Sequence, residues 1–375
     1  MIDNKIDNKI DNKYINSSYY SLLDILRFLA AVFVMLFHYF SSGLEKLDTQ
    51  NINIFKAIFV TMINHGYLGV ELFFMISGFV IYNSLKDKKD SGDLDWRAYT
   101  WSRFIRLYPL FWILCTITYV MTIFIASAHL PFTTYLLNLF IVNNGQTVNM
   151  VDGSYWTLTI EILFYIYIGA FAYIAGRKNI IYFFILWTVY SFSAYSFGFS
   201  ELLISKLLLV RYAPYFVYGG SLAIVMQSIF NKIKFSNLLL PASLMLLSIY
   251  MTKFISNHLI TINEAHAITN KFAIFNGINQ TLVYCIFFIF TIFTILSLYI
   301  KNIKLVKALQ YIGLATYPLY LIHQRIGSMI IELFTPFGNI NIYSISITVL
   351  LVLLSIYIGI IDKDLRKYIY AIIKK

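Results

Sequence analysis

The chain has 375 residues, of which 59% are hydrophobic, 18% aromatic and only 13% charged, with a mean hydropathy of +0.71. So little polar surface cannot cover a soluble protein of this size, and the composition indicates an integral membrane protein, which the apolar runs below make all-α. The formal charge of +11 is carried by short basic clusters between apolar stretches, with no basic helix or aromatic-interleaved patch, which speaks for membrane topology and against a nucleic-acid partner.

Residues 1–20 open with the tetrapeptide Ile-Asp-Asn-Lys three times over, from Ile2 to Lys13. This alternation of charge has nothing to bury and reads as a disordered cytoplasmic tail. The apolar stretch Leu22 to Phe40 that follows resembles a secretory signal in position only. It holds Asp24 and Arg27, and no small-residue cleavage pattern comes after it, so it is expected to stay as a helix. From there, runs long enough to span a bilayer occur at about 22–40, 67–85, 104–125, 155–175, 180–197, 207–226, 238–254, 278–299, 312–334 and 342–361, which predicts ten helices in one domain from 21 to 362. Two shorter runs, Ile54 to Ile63 and Phe132 to Val142, fit interfacial or re-entrant pieces, and 363–375 reads as a second cytoplasmic tail. Cys115 and Cys285 fall inside apolar runs, where a small thiol is unremarked and a structural disulfide is not expected.

With a cytoplasmic N-terminus, ten crossings put Lys5, Lys9, Lys13, Lys86, Lys88, Lys89, Arg97, Arg103, Arg106, Arg177, Lys178, Lys232, Lys234, Lys301, Lys304, Lys307, Lys363, Arg366, Lys367, Lys374 and Lys375 inside, 21 in all. Only Lys46, Lys56, Lys206, Lys253 and Lys271 fall outside. The positive-inside rule therefore predicts that both termini are cytoplasmic.

That orientation gives each buried charge a depth. Arg27 and His38 lie eleven positions apart, a rotation of three turns plus roughly 20° and an advance of about 16 Å, so they share one helical face. Arg27 falls toward the cytoplasm and His38 near the outer end. Glu71, about one turn into the inward-running second helix, and Glu161, at a similar count into the fourth, are expected at the level of His38. His323 is expected near mid-membrane in the ninth helix. An arginine at mid-bilayer costs roughly 2.5–3.5 kcal/mol on insertion scales, so these groups should face protein or a wet cavity. A histidine beside carboxylates suits general-base work, because the imidazole holds or releases a proton near neutral pH and a carboxylate fixes its tautomer. The alternative is that the three groups only hydrogen-bond helices together. Asp24, three residues before Arg27, is a ready intrahelical ion-pair partner for it.

Five stretches resemble the acyltransferase-3 family of integral membrane acyltransferases, and together they cover the chain from about residue 20 to 362. They are Leu23–Ala31 running on to His38; Gly66–Phe79, with Glu71 in the acidic place; Arg103–Pro109, a paired-arginine motif; Trp156–Glu161, with Thr157 where serine is usual; and Tyr317–His323, with Pro318 where serine is usual. Thr157 keeps the hydroxyl. Pro318 is expected to kink the ninth helix and to weaken a role for His323.

The resemblance implies transfer of an acyl group, usually acetyl, from a coenzyme A thioester on the cytoplasmic side to a hydroxyl of a surface glycan such as O-antigen, capsule or exopolysaccharide. It implies a lipid bilayer of the bacterial inner membrane as the setting, acetyl-CoA as donor, and a glycan acceptor carried on lipid or handled with polysaccharide-assembly partners or a second copy of the chain. On that reading Arg103 and Arg106, three apart at the cytoplasmic mouth of the third helix, hold the donor's phosphates together with Tyr108 and Arg27; the bland alternative is that both arginines simply obey the positive-inside rule. His38 removes the acceptor's proton or takes the acyl group first, with Glu71 or Glu161 orienting it. Trp156, Arg211 and His323 are candidates for acceptor contact. His65, His129, His258 and His266 have no ligand-like spacing, and no metal is expected. Ser77 with Gly78 reads as a small pair for close helix packing. A transporter or flippase whose charges line a substrate path is the alternative function.

Overall fold

The computed structural model describes residues 20–44, 54–85, 95–126, 129–141, 150–230, 236–266, 280–334 and 340–373, and the repeat-bearing tail lies outside these. Their order is α1 (Leu22–Leu44), α2 (Ile54–Asn64), α3 (Gly69–Ser84), α4 (Trp96–Phe124), α5 (Phe132–Asn138), α6 (Trp156–Ala175), α7 (Ile180–Ser196), α8 (Leu203–Leu207), α9 (Ala213–Phe230), α10 (Ser236–His266), α11 (Gln280–Leu296), α12 (Ile303–Leu314), α13 (Thr316–Ile322), α14 (Arg325–Phe334) and α15 (Ile340–Ile373). Among the described residues no strand forms. The protein is an all-α membrane bundle. Its outward surface carries Phe124, Ile174, Leu186, Phe288 and Leu353, large apolar side chains left exposed by the fold and suited to lipid.

Nine helical stretches among the described residues are long and apolar enough to cross a bilayer: Leu22–Phe40, Gly66–Ser84, Trp96–Phe124, Gly153–Ala175, Ala213–Phe230, Ser236–His258, Gln280–Tyr299, Ile303–Ile322 and Ile342–Ile373. The remaining run of the ten predicted, 180–197, forms α7, whose 17 residues reach about 25 Å, the short end of the crossing range. The two short runs form α2 and α5, too short to cross. The segment after 362, expected as a tail, continues α15 to Ile373.

The ninth predicted helix is corrected most. The crossing stretch begins at Ile303 and ends at Ile322; α14 is a separate helix that starts after His323 and Gln324. Pro318 has no N–H for the Leu314 carbonyl and its ring crowds that carbonyl, so the helix steps at Ala315. Gly359 of α15 packs against the Leu314 carbonyl where a Cβ would collide. At the other end, the Arg325 N–H is taken by the Asp152 carboxylate at 2.8 Å, which starts α14. On α14 the polar residues Arg325, Ser328 and Glu332 fall on one side, while Ile326, Met329 and Ile331 are buried.

The bundle is held by close helix approach. Gly78 of α3 and Gly219 of α9 lie so near the backbones of Phe216 and Met75 respectively that neither position has room for a Cβ. In lipid, where water supplies no drive between helices, such backbone contact is what van der Waals packing and small residues provide. Two buried clusters result. One joins α1, α3, α6 and α9 through residues such as Leu26, Met75, Phe164 and Phe216; the other joins α4, the segment before α6, α13 and α14 through Phe111, Tyr155, Leu319 and Ile326. Phe73, Tyr108, Ile162 and Tyr317 touch both clusters, and the polar groups described next lie along that seam.

Candidate functional site

His38, near the end of α1, and His323, at the end of α13, come together with ring centroids 5.4 Å apart and planes tilted by 39°. His323 is therefore level with His38 instead of deeper in its helix, because the crossing stretch that leads to it begins at Ile303, nine residues before the apolar run at 312. The two rings differ in access: His38 is exposed, and His323 is 1% exposed. Nδ1 of His323 lies 2.8 Å from the Tyr320 carbonyl. A carbonyl only accepts, so Nδ1 carries the proton and Nε2 holds the lone pair. That Nε2 is buried and has no hydrogen-bond partner. The Tyr39 hydroxyl donates to the His323 carbonyl, which fixes the turn from the α1 side.

The acid beside this pair is Asp152, a residue the sequence reading did not single out. It is 1% exposed, and its oxygens accept from the Ser154 N–H at 2.8 Å, the Ser154 hydroxyl at 2.7 Å and the Arg325 N–H at 2.8 Å. Burial pushes this carboxyl up from its ordinary value, and the hydrogen bonds from Ser154 and Arg325 and the nearby His38 pull it back. Asp152 and His323 are the charge partners within reach of His38. Sequence offered one signal for it, an aspartate two residues before a serine at a helix start, which reads as an ordinary cap.

A second polar centre gathers at the other end of the seam. Arg27 of α1 pairs with Asp24 at 3.9 Å, and Arg106 and Glu161 are within Coulombic reach of it. Arg103 donates to the Ser84 hydroxyl and sits over the rings of Tyr99 and Tyr165 at 5.3 and 5.6 Å, yet its buried Nε has no hydrogen-bond partner. Glu161 accepts from the Tyr165 hydroxyl and from Ser77 Oγ at 3.2 Å. Arg366 and Asp362 of α15 form an ion pair at 2.8 Å nearby, with Arg106 in reach of both.

The structure thus separates the groups expected at one level. Glu161 lies with the arginines. Glu71 lies elsewhere, in reach of Arg211, with one carboxylate oxygen buried and unbonded; Arg211 rests over Tyr212 at 5.6 Å, and Trp156 packs on the same ring at 5.8 Å. Of the acceptor candidates, Trp156 and Arg211 fall together and His323 falls with His38. Tyr108 points away from Arg103 and Arg106: its hydroxyl donates to the Phe140 carbonyl at 3.2 Å and its ring stacks on Phe104 at 4.9 Å. Two residues beyond Arg106 is about 200° around the helix, which accounts for this.

Between the two centres runs one face of α13. Tyr317 donates to the Leu107 carbonyl at 2.8 Å and is in reach of Glu161 and Arg106. Tyr320, three residues on, meets the Thr157 hydroxyl at 2.7 Å and the Ser154 carbonyl at 3.1 Å, and is in reach of Asp152, Glu161 and Glu71. His323 follows after three more. The hydroxyl that Thr157 keeps is thereby in use. Among the described residues no group of three His, Cys, Asp or Glu is arranged to hold a metal ion.

A protein of Caenorhabditis elegans called Regulator of hypoxia-inducible factor 1 is 29% identical to this chain over 169 residues, covering 40% of the chain and 33% of that protein's length. The chain therefore spans about a third of the curated relative it matches. No solved structure matches the chain. The family model described as an acyltransferase domain matches residues 20–361, nearly the whole sequence and all five motifs. With the match running over nearly all of this multi-pass bundle, the chain belongs to the acyltransferase-3 family of membrane acyltransferases.

Proposed function

We propose that this protein is an O-acyltransferase of a bacterial inner membrane, both termini cytoplasmic, which moves an acetyl group from acetyl-CoA at the cytoplasmic face to a hydroxyl of a surface glycan at the outer face. The observation that carries this reading is the pair of polar centres at opposite ends of one seam, Arg27 with Arg103 and Arg106 at one and His38 with His323 at the other. Arg27 and His38 are eleven residues apart on α1, about 16 Å along its axis.

Coenzyme A is polyanionic, and the arginine centre suits it. Arg103 has a buried Nε donor with no acceptor, and a phosphate oxygen supplies one. Arg27, Arg103 and Arg106 hold the donor's charged end, and the Tyr317–Tyr320 face of α13 lines the way toward the histidines. Acetyl-CoA supplies an activated thioester carbonyl. His38, the accessible ring, takes the proton from the acceptor hydroxyl as its oxygen bonds to that carbonyl; the carbon–sulfur bond breaks, and the same ring returns the proton to the departing thiolate. His323, its proton held on Nδ1 by the Tyr320 carbonyl, keeps the lone pair of its Nε2 without a hydrogen-bond partner beside His38. Asp152 steadies the positive charge that His38 carries between the two transfers. The same groups serve if His38 takes the acyl group first.

His38→Ala is expected to lower glycan acetylation by at least about a hundredfold, the usual worth of a general base, at normal membrane abundance. Ester content of surface polysaccharide, read by mass spectrometry, checks this, and unchanged acetylation sinks the reading.

A further inference from the structure

A cavity of about 640 Å³ opens next to the chain that carries His323, bordered by Gln324, Arg325, Ser328 and Glu332 on one wall and by Leu130 and Val151 on another. It shares backbone with the histidine centre. Gln324 and Arg325 are the two residues after His323, and Asp152, which holds the Arg325 N–H, is followed by Gly153 in the cavity wall. The Gln324 amide lies where a Cβ on residue 153 would stand, 2.7 Å from its Nε2, so the glycine is what lets that amide into the wall.

The simplest alternative is that α14 turns a polar face to headgroup water and nothing more. Arg325 argues against it. Its backbone N–H is held by buried Asp152, and its Nε lies 3.4 Å from the hydroxyl of buried Thr122, so the guanidinium is drawn inward and not toward headgroups. The charges also balance: one arginine, one glutamate, one amide and one hydroxyl border the space, whereas recognition of an anionic headgroup calls for an excess of basic residues. A mixed wall of donors and acceptors facing an apolar one matches sugar rings, whose hydroxyls both donate and accept and whose C–H faces are apolar. The volume lies within the range of small-molecule sites, roughly 300–1,000 Å³, and has room for more than one ring.

We infer that this cavity is the acceptor site: it binds an uncharged stretch of the glycan and presents one hydroxyl to the His38–His323 pair. The inference rests on the acyl-transfer reading above. Arg325 and Glu332, seven residues apart on α14, grip ring hydroxyls from one side, and Ser328 lies between them in sequence on the same wall.

The test uses membranes holding the full chain, radiolabelled acetyl-CoA, and as acceptor the surface polysaccharide of the same cells stripped of its esters by mild alkali. Ser328→Trp, which fills the cavity, and Glu332→Gln, which preserves its shape, are each expected to raise the acceptor KM about tenfold or more, while the KM for acetyl-CoA stays within about twofold. If the unaltered protein transfers label and both variants keep its acceptor KM, the acceptor site is elsewhere and the inference is overturned. If the unaltered protein transfers no label to polysaccharide, the acyl-transfer reading itself is overturned, and the acceptor site with it.

Discussion

Asp152 is buried in a loop, caps two helices and lies within charge reach of the one exposed ring of the histidine pair. Asn at this position keeps an oxygen for the Ser154 donors but turns an amide toward the Arg325 N–H and removes the charge. We expect Asp152→Asn to lower kcat about tenfold or more, some 1.4 kcal/mol in the barrier, with both KM values little changed. A purely structural cap predicts instead a loss of folded protein at unchanged kcat per molecule, and active-site titration separates the two. Arg27 and His38 stood out in the sequence because an ionisable group in an apolar run has few explanations and helix periodicity sets their shared face, whereas Arg103 and Arg106 stood out only through the paired-arginine motif. Asp152 did not, since an acid before a helix looks like any cap. Glu161 was given the wrong neighbours for a related reason: depth was counted from the helix start, but the segment before α6 dips into the bundle, with Asp152, Ser154 and Tyr155 all at 3% exposure or less. α6 begins deep, and Glu161 meets arginines.

The helices themselves were read well where hydropathy alone decides, and poorly where a side chain from elsewhere ends them. The apolar run 312–334 is continuous in sequence, yet its second half leaves the crossing helix because Asp152, far away in the chain, captures the Arg325 N–H. The alternation of Arg325, Ser328 and Glu332 against buried Ile326 and Met329 is the trace that half left in the sequence. Pro318 departs from the family pattern, yet the step it makes falls at Ala315 and the His323 ring still meets that of His38. Packing between helices was legible only at Gly78. The α3–α9 contact is expected to fail when either backbone is pushed away, so Gly78→Leu should destabilise the protein by about 1–3 kcal/mol, the usual result of overfilling a packed site. Thermal unfolding in detergent checks this; an unchanged midpoint would mean the two helices are not held by backbone contact.

At the scale of the whole molecule, the family match over residues 20–361 and the multi-pass bundle agree on a membrane acyltransferase. What the fold adds is a separation of two polar centres, with arginines at one end of the α13 face and the histidine pair, close in sequence to a cavity wall, at the other; the proposed function gives donor and acceptor one end each. A transporter would use the same charges to pass its cargo unchanged. Sealed vesicles with the cytoplasmic face outward, de-esterified polysaccharide trapped inside and radiolabelled acetyl-CoA added outside separate these accounts. Our account predicts label in ester linkage on the trapped polysaccharide, lost with His38→Ala. Polysaccharide that stays unlabelled in vesicles carrying folded protein would contradict it.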